Sequence, residues 1–407
     1  MTAEHKPVKK LMILGAGIYQ LPLIRKAREM GLYTIAVSIP GHYPGFAEAD
    51  KCLYINTTDA AGILAAAEEE KIDGICTTGT DVCVPALAAV CEALRLPGIS
   101  VPAASVLSDK CAMKEMFKKG GVRTADFRVA ESFEEAGRAA EEIGYPVMAK
   151  APDSSGSRGI TKVESFEDLK EAYDEAVKVS RSGRIVVEKC LTGGYEIGLD
   201  AFILNGEAVL FLPHNKEVYK TRRAGMPAGH SFPFRGSEAL TEELERQIDL
   251  AVKASGADNC AVNADIMIVD GLPYFLEMGG RCGATGIPEV ASYYTGTDYY
   301  RLIIEAALGQ AEKPGDLSAR PCMSRLVFSD RTGTITRIDR EGLARLKTGP
   351  VLDISLDYEE GEKVYLPENG TDRIGQVILA TADEEECAGL MAKIGKCIFV
   401  DENPVII

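Results

Sequence analysis

The chain has 407 residues, 46% of them hydrophobic and 26% charged, with a formal net charge of −16. That length suggests two or three domains with ample core, and the composition is that of an ordinary globular protein. So acidic a chain repels phosphate backbones, which argues against a nucleic-acid partner and leaves room only for a local positive pocket around a small anion.

No apolar run approaches the ~18 residues of a spanning helix, so no membrane partner is expected. The apolar stretch LMILGAGIY follows MTAEHKPVKK directly, but glycines break it and a strand–helix pattern continues from it. It does not read as a signal peptide, and the expected location is cytoplasmic. The eleven cysteines are odd in number and scattered, with no C-x-x-C pair. Zinc and disulfide frameworks are therefore not expected, and most should be small core residues.

Residues 9–110 alternate strand and helix. KKLMILGAG is a buried strand entering a glycine turn, IYQLPLIRKAREMG an amphipathic helix, and LYTIAVSI a strand. DAAGILAAAEEEK is a helix with Asp59 as its N-cap, IDGICTT a strand, and DVCVPALAAVCEALRL a helix. Such alternation predicts a parallel α/β sheet. Residues 111–190 are richer in helix. Ser132 with Glu135 and Ser165 with Asp168 have capping-box spacing and predict two helix starts, with VMAK as a strand between them and RIVVEKCL as the next.

Residues 196–278 look largely antiparallel. EIGLDAFIL and EAVLFL flank Asn205-Gly206, a hairpin turn; ALTEELERQIDLAVKASG is a helix; AVNADIMIVDGLPYFLEMGG turns at Asp270-Gly271. Residues 310–321 are polar with Pro and Gly and read as a linker. Beyond them RLVFSDRTGTITRI reads as a hairpin, IGQVILA as a strand, and TADEEECAGLMAKIGKCI as a helix capped by Thr381 and Glu384.

The first glycine turn, GAGIYQ, matches half of a dinucleotide fingerprint. Gln20 stands where the third glycine belongs, and Ser38 where an acidic residue would grip the ribose, so a tight turn is the expected reading. Lys150 is more informative. It ends a strand beside Ser154, Ser155, Gly156, Ser157, Arg158 and Gly159, a loop small and polar enough to wrap backbone N–H groups around phosphate oxygens. No Gly-Lys-Ser/Thr follows, so it is not a Walker A loop. Asp265 and Glu277 lie on the two arms of the later hairpin, and two hard oxygen ligands suit Mg²⁺, which takes the rest from water and phosphates. Arg281 follows, with a guanidinium fork suited to a phosphate or carboxylate. A cation with a polar loop, an acidic pair and an arginine are the parts nucleotide phosphoryl transfer needs.

In these segments the chain resembles the ATP-grasp enzymes, carboxylate–amine or carboxylate–thiol ligases. The resemblance covers nearly the whole sequence. It implies an α/β and α+β ATP-grasp fold: an N-terminal α/β domain over 1–110, the ATP-grasp domain over 111–312 with a lid lobe at about 122–190, and a small C-terminal α+β domain over 313–407. SDKCAMKEMFKKGGV resembles the segment whose first lysine, Lys110, reaches the ATP phosphates, and Lys150 resembles the second phosphate lysine. The loop 154–159 is similar to the phosphate-covering lid loop. VEKCLTGGYE resembles the adenine hinge, which puts Glu188 near the base amino group, Lys189, Cys190 and Leu191 as backbone and apolar contacts, and Glu196 on the ribose. Asp265 and Glu277 match the metal carboxylates and Arg281 the arginine that steadies the transferred phosphoryl group. The implied cofactors are ATP and Mg²⁺, with Mn²⁺ able to stand in for it.

One departure stands out. Many members read Glu-x-Asn-x-Arg where this chain reads EMGGR, so Gly279 replaces an asparagine and the second metal site is in question. The continuation RCGATGIPEVASYYTG, with Gly286, is more similar to dipeptide-forming amino-acid ligases. The stretch KEVYKTRRAGMPAGHSFPF, rich in Gly and Pro, reads as an irregular loop bordering the substrate pocket; Arg223 in it would hold a carboxylate and His230 an amine. The resemblance thus implies an amino-acid or dipeptide ligase acting through an acyl phosphate on small-molecule carboxylate and amine substrates, and a homodimer, the common assembly of the family. The alternatives are a carbamoyl-phosphate-synthase-like or other carboxylate-activating enzyme, a nicotinamide-dependent oxidoreductase using GAGIYQ, and a nucleotide-binding module without catalysis.

Overall fold

The computed structural model describes residues 8–154, 159–220, 225–368 and 372–406. The N-terminal region is a four-stranded parallel sheet in the order Lys51–Tyr54, Tyr33–Ser38, Lys10–Leu14, Gly74–Cys76. Its strands are apolar almost throughout because helices cover both faces. Asp59 accepts from Gly62 N as N-cap of the helix Ala60–Glu70, and the short elements Pro44–Glu48, Lys51–Tyr54 and Val101–Leu107 were not anticipated. The GAGIYQ turn is closed from within. Gln20 Oε1 accepts from Gly17 N at 3.0 Å and Gln20 Nε2 donates to Thr78 O, so this side chain fills the helix N-terminus that a pyrophosphate would need.

A second sheet, all antiparallel, runs Phe127–Ala130, Ile185–Lys189, Val147–Lys150, Ile160–Val163. The helices Phe133–Ile143 and Phe166–Val179 pack on it. Ser132 accepts from Glu135 N as expected, but the Glu135 carboxylate reaches back to Glu131 N rather than to the cap residue. Ser165 makes no cap bond to the backbone; its hydroxyl meets Asp168 instead, at 3.1 Å.

The third sheet is the largest. Eight antiparallel strands lie in the order Leu272–Gly279, Cys260–Val269, Tyr195–Leu204, Glu207–Lys220, Gly225–Phe232, Cys322–Val327, Gly375–Leu379, Val351–Leu356. Both predicted hairpins turn through left-handed pairs, Asn205-Gly206 and Asp270-Gly271. Three expectations need correction here. RLVFSDRTGTITRI is not a hairpin: Cys322–Val327 is buried on both faces between Gly225–Phe232 and Gly375–Leu379, whereas Gly333–Ile338 pairs in a separate small sheet. The stretch 216–234 is not an irregular loop, because its described ends are paired strands. Pro227 is accommodated beside a register shift at Glu217/Val218, where a missing N–H costs little. The last long helix, Glu384–Gly395, is capped by Asp383, which accepts from Glu386 N, while Thr381 accepts from Asp383 N.

Alternation along the large sheet sorts chemistry from core. On Tyr195–Leu204, residues Ile197, Leu199, Ala201 and Ile203 face one way into the principal apolar cluster with Val262, Ala264, Ile266, Phe275 and the helix Glu238–Ser255. The intervening Glu196, Gly198 and Asp200 face the other way.

Candidate active site

Registration assembles the polar face. Asp265 pairs with Glu277 on one side and with Gly198 on the other; Asn263 pairs with Asp200; His214 pairs with Gly198. Side chains two residues apart on three neighbouring strands therefore converge. Lys216 Nζ lies between two of them, 2.8 Å from Asp265 and 3.0 Å from Glu196, and its side chain is almost fully enclosed. Burial lowers its pKa but the two carboxylates more than reverse that, so it stays charged. Burial dominates at Glu196 and raises its carboxyl, with Lys216 opposing.

The helix Lys110–Gly120 joins this face to the smaller sheet. Asp109 caps it by accepting from Ala112 N at 2.9 Å. Lys110 Nζ makes an ion pair with Glu277 at 3.1 Å and donates to Ser154 O at 2.8 Å. The Lys110 charge is the main reason Glu277 is held down to about 2 against its burial. One turn along, Lys114 Nζ lies 2.7 Å from Glu188 and donates to Thr124 Oγ1 at 2.7 Å. Lys150 binds the other oxygen of Glu188 across the neighbouring strand. Burial alone would raise Glu188, but the two lysines pull its pKa down to about 2.

Arg281 sits at the far end of the polar face. Its Nη2 donates to Asp81 Oδ2 at 2.7 Å and its Nη1 to Asn263 Oδ1 at 3.0 Å. Its Nε is buried with no hydrogen-bond partner among the described residues. Asn263 in turn donates to Asp200 Oδ2 at 2.7 Å, and Asp200 Oδ1 accepts from Gly283 N at 2.8 Å. Behind Asp200 lie His214 and His230, their Nδ1 atoms 3.2 Å apart. The His214 ring fits only because Gly198 has no side chain: a Cβ there would fall 2.0 Å from His214 Cε1.

The anticipated residues thus fall into groups. Lys110 pairs with Glu277 and lies against Ser154, Glu196 and Asp265 share Lys216, Lys150 pairs with Glu188, and Arg281 is tied to Asn263, two residues before Asp265 on one strand. Gly159 closes the described part of the polar loop with φ +64° and accepts from Ala151 N. Ser155, Gly156, Ser157 and Arg223 lie outside the described residues. Glu188 needs correction: both its oxygens face lysines, so its side chain does not point to a base amino group. The N–H groups of Lys189 and Cys190 already donate to Asp126 O and Pro146 O, so a base along 188–191 would meet carbonyl oxygens or the Leu191 amide. His230 is also corrected, from a substrate contact to a buried ring against His214, with its pKa lowered well below the ordinary value by burial first and His214 second. Gly286 caps the helix Ile287–Thr295 at φ +78°, where a Cβ would meet Ser324 at 2.7 Å; close packing accounts for it.

Sequence reading missed Asp81, Lys114, Asp200, Asn263 and Lys216. Lys114 stands four residues after Lys110 on one helix face, and the polar alternations E-x-G-x-D and N-x-D mark Asp200 and Asn263. Asp81 and Lys216 carried no local signal. As a cation site, Asp265 and Glu277 provide two hard oxygens that Mg²⁺ can share with phosphates and water, although no group of three or more candidate ligands exists among the described residues. All eleven cysteines are free, and nine are buried as core. Among the described residues no helix is long and apolar enough to cross a membrane.

The family model described as "Carbamoyl-phosphate synthase L chain, ATP binding domain" matches residues 109–312. A formate-dependent phosphoribosylglycinamide formyltransferase of Herminiimonas arsenicoxydans is 29% identical over 402 residues, 92% of this chain and 90% of that one. The crystal structure of phosphoribosylglycinamide synthetase from Anaerococcus prevotii superposes with a TM-score of 0.79 at 28% identity, covering 96% of this chain and 99% of that one. An L-amino acid ligase from Bacillus licheniformis reaches the same TM-score at 20% identity, covering 97% and 99% of the two chains, a likeness of fold. The family-model match over half of the chain places the protein in the ATP-grasp family of ATP-dependent ligases, whose members use ATP with Mg²⁺.

Proposed function

We propose that this protein is an ATP-dependent carboxylate–amine ligase that forms an amide, on amino acids or a dipeptide product, through an acyl phosphate. The observation that carries this reading is Arg281. Its side chain is 15% exposed, it is pinned at both Nη atoms by Asp81 and Asn263, and its enclosed Nε has no protein partner among the described residues. A guanidinium whose aim is fixed at both Nη atoms suits a group that gains charge only during reaction.

In this reading Lys110 and Lys150 neutralise ATP oxygens; Lys110 exchanges part of its contact with Glu277 for phosphate, while Lys150 keeps Glu188 as its counter-ion. Asp265 and Glu277 would hold Mg²⁺, which would screen the phosphate charge, and Glu196 would remain as the partner of Lys216. The substrate carboxylate oxygen attacks the γ-phosphorus, the bond to the β-bridging oxygen breaks, and ADP leaves. Arg281 steadies the phosphoryl group in transit and then the acyl phosphate. An amine attacks the carbonyl carbon, the C–O bond to phosphate breaks, and the amine loses a proton. His230 is buried and kept neutral, so it is not the acceptor of that proton in this arrangement. Residues 154–159 cover the phosphates and keep water from the acyl phosphate. We also propose the division of the chain at about 110 and 312, a homodimer, and the cytoplasm as its location.

Similarity over the whole length to a formate-dependent phosphoribosylglycinamide formyltransferase favours a second reading, activation of a smaller carboxylate such as formate. One screen decides between them. The protein is incubated with MgATP and pools of amino acids in pairs, or formate with candidate amines, while ADP, phosphate and product masses are followed. Pair-dependent ADP release with a condensed mass establishes the amino-acid reading; formate-dependent release moves it to the second. ATP binding without ADP release under every condition would leave a non-catalytic module.

A further inference from the structure

We propose that Asp81 is the positioning residue of Arg281, and that residue 279 is glycine because any side chain there would displace Asp81. The proposal rests on the ligase reading only for the role given to Arg281.

Three observations meet at this point. Asp81 belongs to the segment between the strand Gly74–Cys76 and the helix Val84–Leu94, two hundred residues from Arg281, yet its Oδ2 accepts from Arg281 Nη2 at 2.7 Å. An ideal Cβ on Gly279 would lie 2.5 Å from Asp81 Oδ1, inside any real contact distance. Gly279 does not have a left-handed φ, so its conformation does not call for glycine; only the space does. The atom that a Cβ would hit is a side-chain tip rather than backbone. An alanine at 279 would therefore leave the sheet intact and push the Asp81 carboxylate off Arg281.

Gly279 is thus not a ligand position worn away. The oxygen nearest this position comes from Asp81 in the N-terminal region. A separation of 2.5 Å from the Cβ position is close to the distance at which an asparagine's own amide oxygen would stand from its Cβ. The consequence is mechanical. The arginine is gripped by Asn263 from the large sheet and by Asp81 from the neighbouring unit, so its aim depends on both units keeping their relation. Lys110 also lies within the field of Asp81, so losing this carboxylate alters two of the site's cations.

The test is a cycle of four proteins: wild type, Asp81→Ala, Gly279→Ala and the double variant. Without nucleotide, Gly279→Ala should lower the unfolding midpoint of the wild type by about 2–4 °C. In the Asp81→Ala background the same substitution should be neutral or stabilising, because alanine restricts the unfolded chain and now meets empty space. Additive effects of the two substitutions would overturn the proposal. With the substrates found by ADP release, Asp81→Ala should reduce kcat about tenfold or more with KM for ATP within about twofold, since it misaims a group used in the transition state. Asp81→Asn, which still accepts from Arg281, should recover much of the loss. Unchanged kcat in Asp81→Ala, or a raised KM for ATP with kcat intact, would also overturn it. Failure of the wild type to release ADP in any pool would sink the ligase reading alone, and the stability cycle would still decide between a displaced and an indifferent Asp81.

Discussion

Two lysine–carboxylate clusters, linked through the helix Lys110–Gly120, behave oppositely. In the first, Glu188 is held by Lys114 and Lys150, with 2% of its side chain exposed. In the second, Lys110 and Lys216 meet Glu277, Asp265 and Glu196, whose side chains are 41%, 28% and 25% exposed. The first is sealed: each charge exists only because its partners are present, since an isolated buried ion is very unfavourable. The second is open on the carboxylate side, so a cation or phosphate can enter and exchange with the lysines. Similar residue types therefore serve as scaffold in one place and as exchangeable ligands in the other, and the difference lies in solvent access.

That contrast can be broken by substitution. Glu188→Gln leaves two lysines facing each other in a buried space and should cost about 3–5 kcal/mol of stability, read by denaturant unfolding. Little loss would mean the sealed cluster is wetter than described. Asp265→Asn and Glu277→Gln should do the reverse. Stability should change by less than about 1 kcal/mol, as for partly exposed pairs. Mg²⁺-dependent ADP release should fall by about a hundredfold or more, beyond what loss of an outer-shell partner of a metal costs. Titrating Mg²⁺ against turnover measures this.

Acid sharpens the same comparison. The folded pKa of Glu188 is depressed to about 2 from 4.5. Its contribution of about 3 kcal/mol is then fully present above pH 4.5 and is lost as pH falls toward 2. Stability of the wild type should drop through that window, and Glu188→Gln should show a shallower slope over it. The smallest expected effect is at Gly198→Ala, where a methyl meets the His214 ring. A cost of about 1–3 kcal/mol is expected. It should be relieved in part by His214→Ala, which a double-mutant cycle would report.

Much of this protein was legible in its residues. Turn chemistry at Asn205-Gly206 and Asp270-Gly271, the cap at Asp59 and the strand–helix alternation of the first hundred residues are local, and local physics made them readable. Lys150, Asp265 and Glu277 also stood out, because each ends or interrupts an otherwise apolar strand. What misled were features whose meaning depends on neighbours. Pro and Gly in residues 216–234 looked incompatible with a strand until a register shift beside Pro227 gave the missing donor a place. Cys322–Val327 looked like one arm of a hairpin, but its burial on both faces drew it into the large sheet. Glu188 read, by resemblance, as a contact near a base amino group, and only the lysines from a helix and a neighbouring strand show both its oxygens engaged as a buried counter-ion.

The sequence by itself determined the element types, the turns and the inventory of cations and carboxylates, since these follow from propensity, periodicity and charge over a few residues. The tertiary structure alone decided which charges pair and which stay open. Asp81 reaches Arg281 from two hundred residues away, Lys216 falls between Glu196 and Asp265, and Gly279 is shaped by a side chain from a connecting segment of the N-terminal region. Coulomb energy and excluded volume act through space at a few ångströms, and separation along the chain does not report that distance.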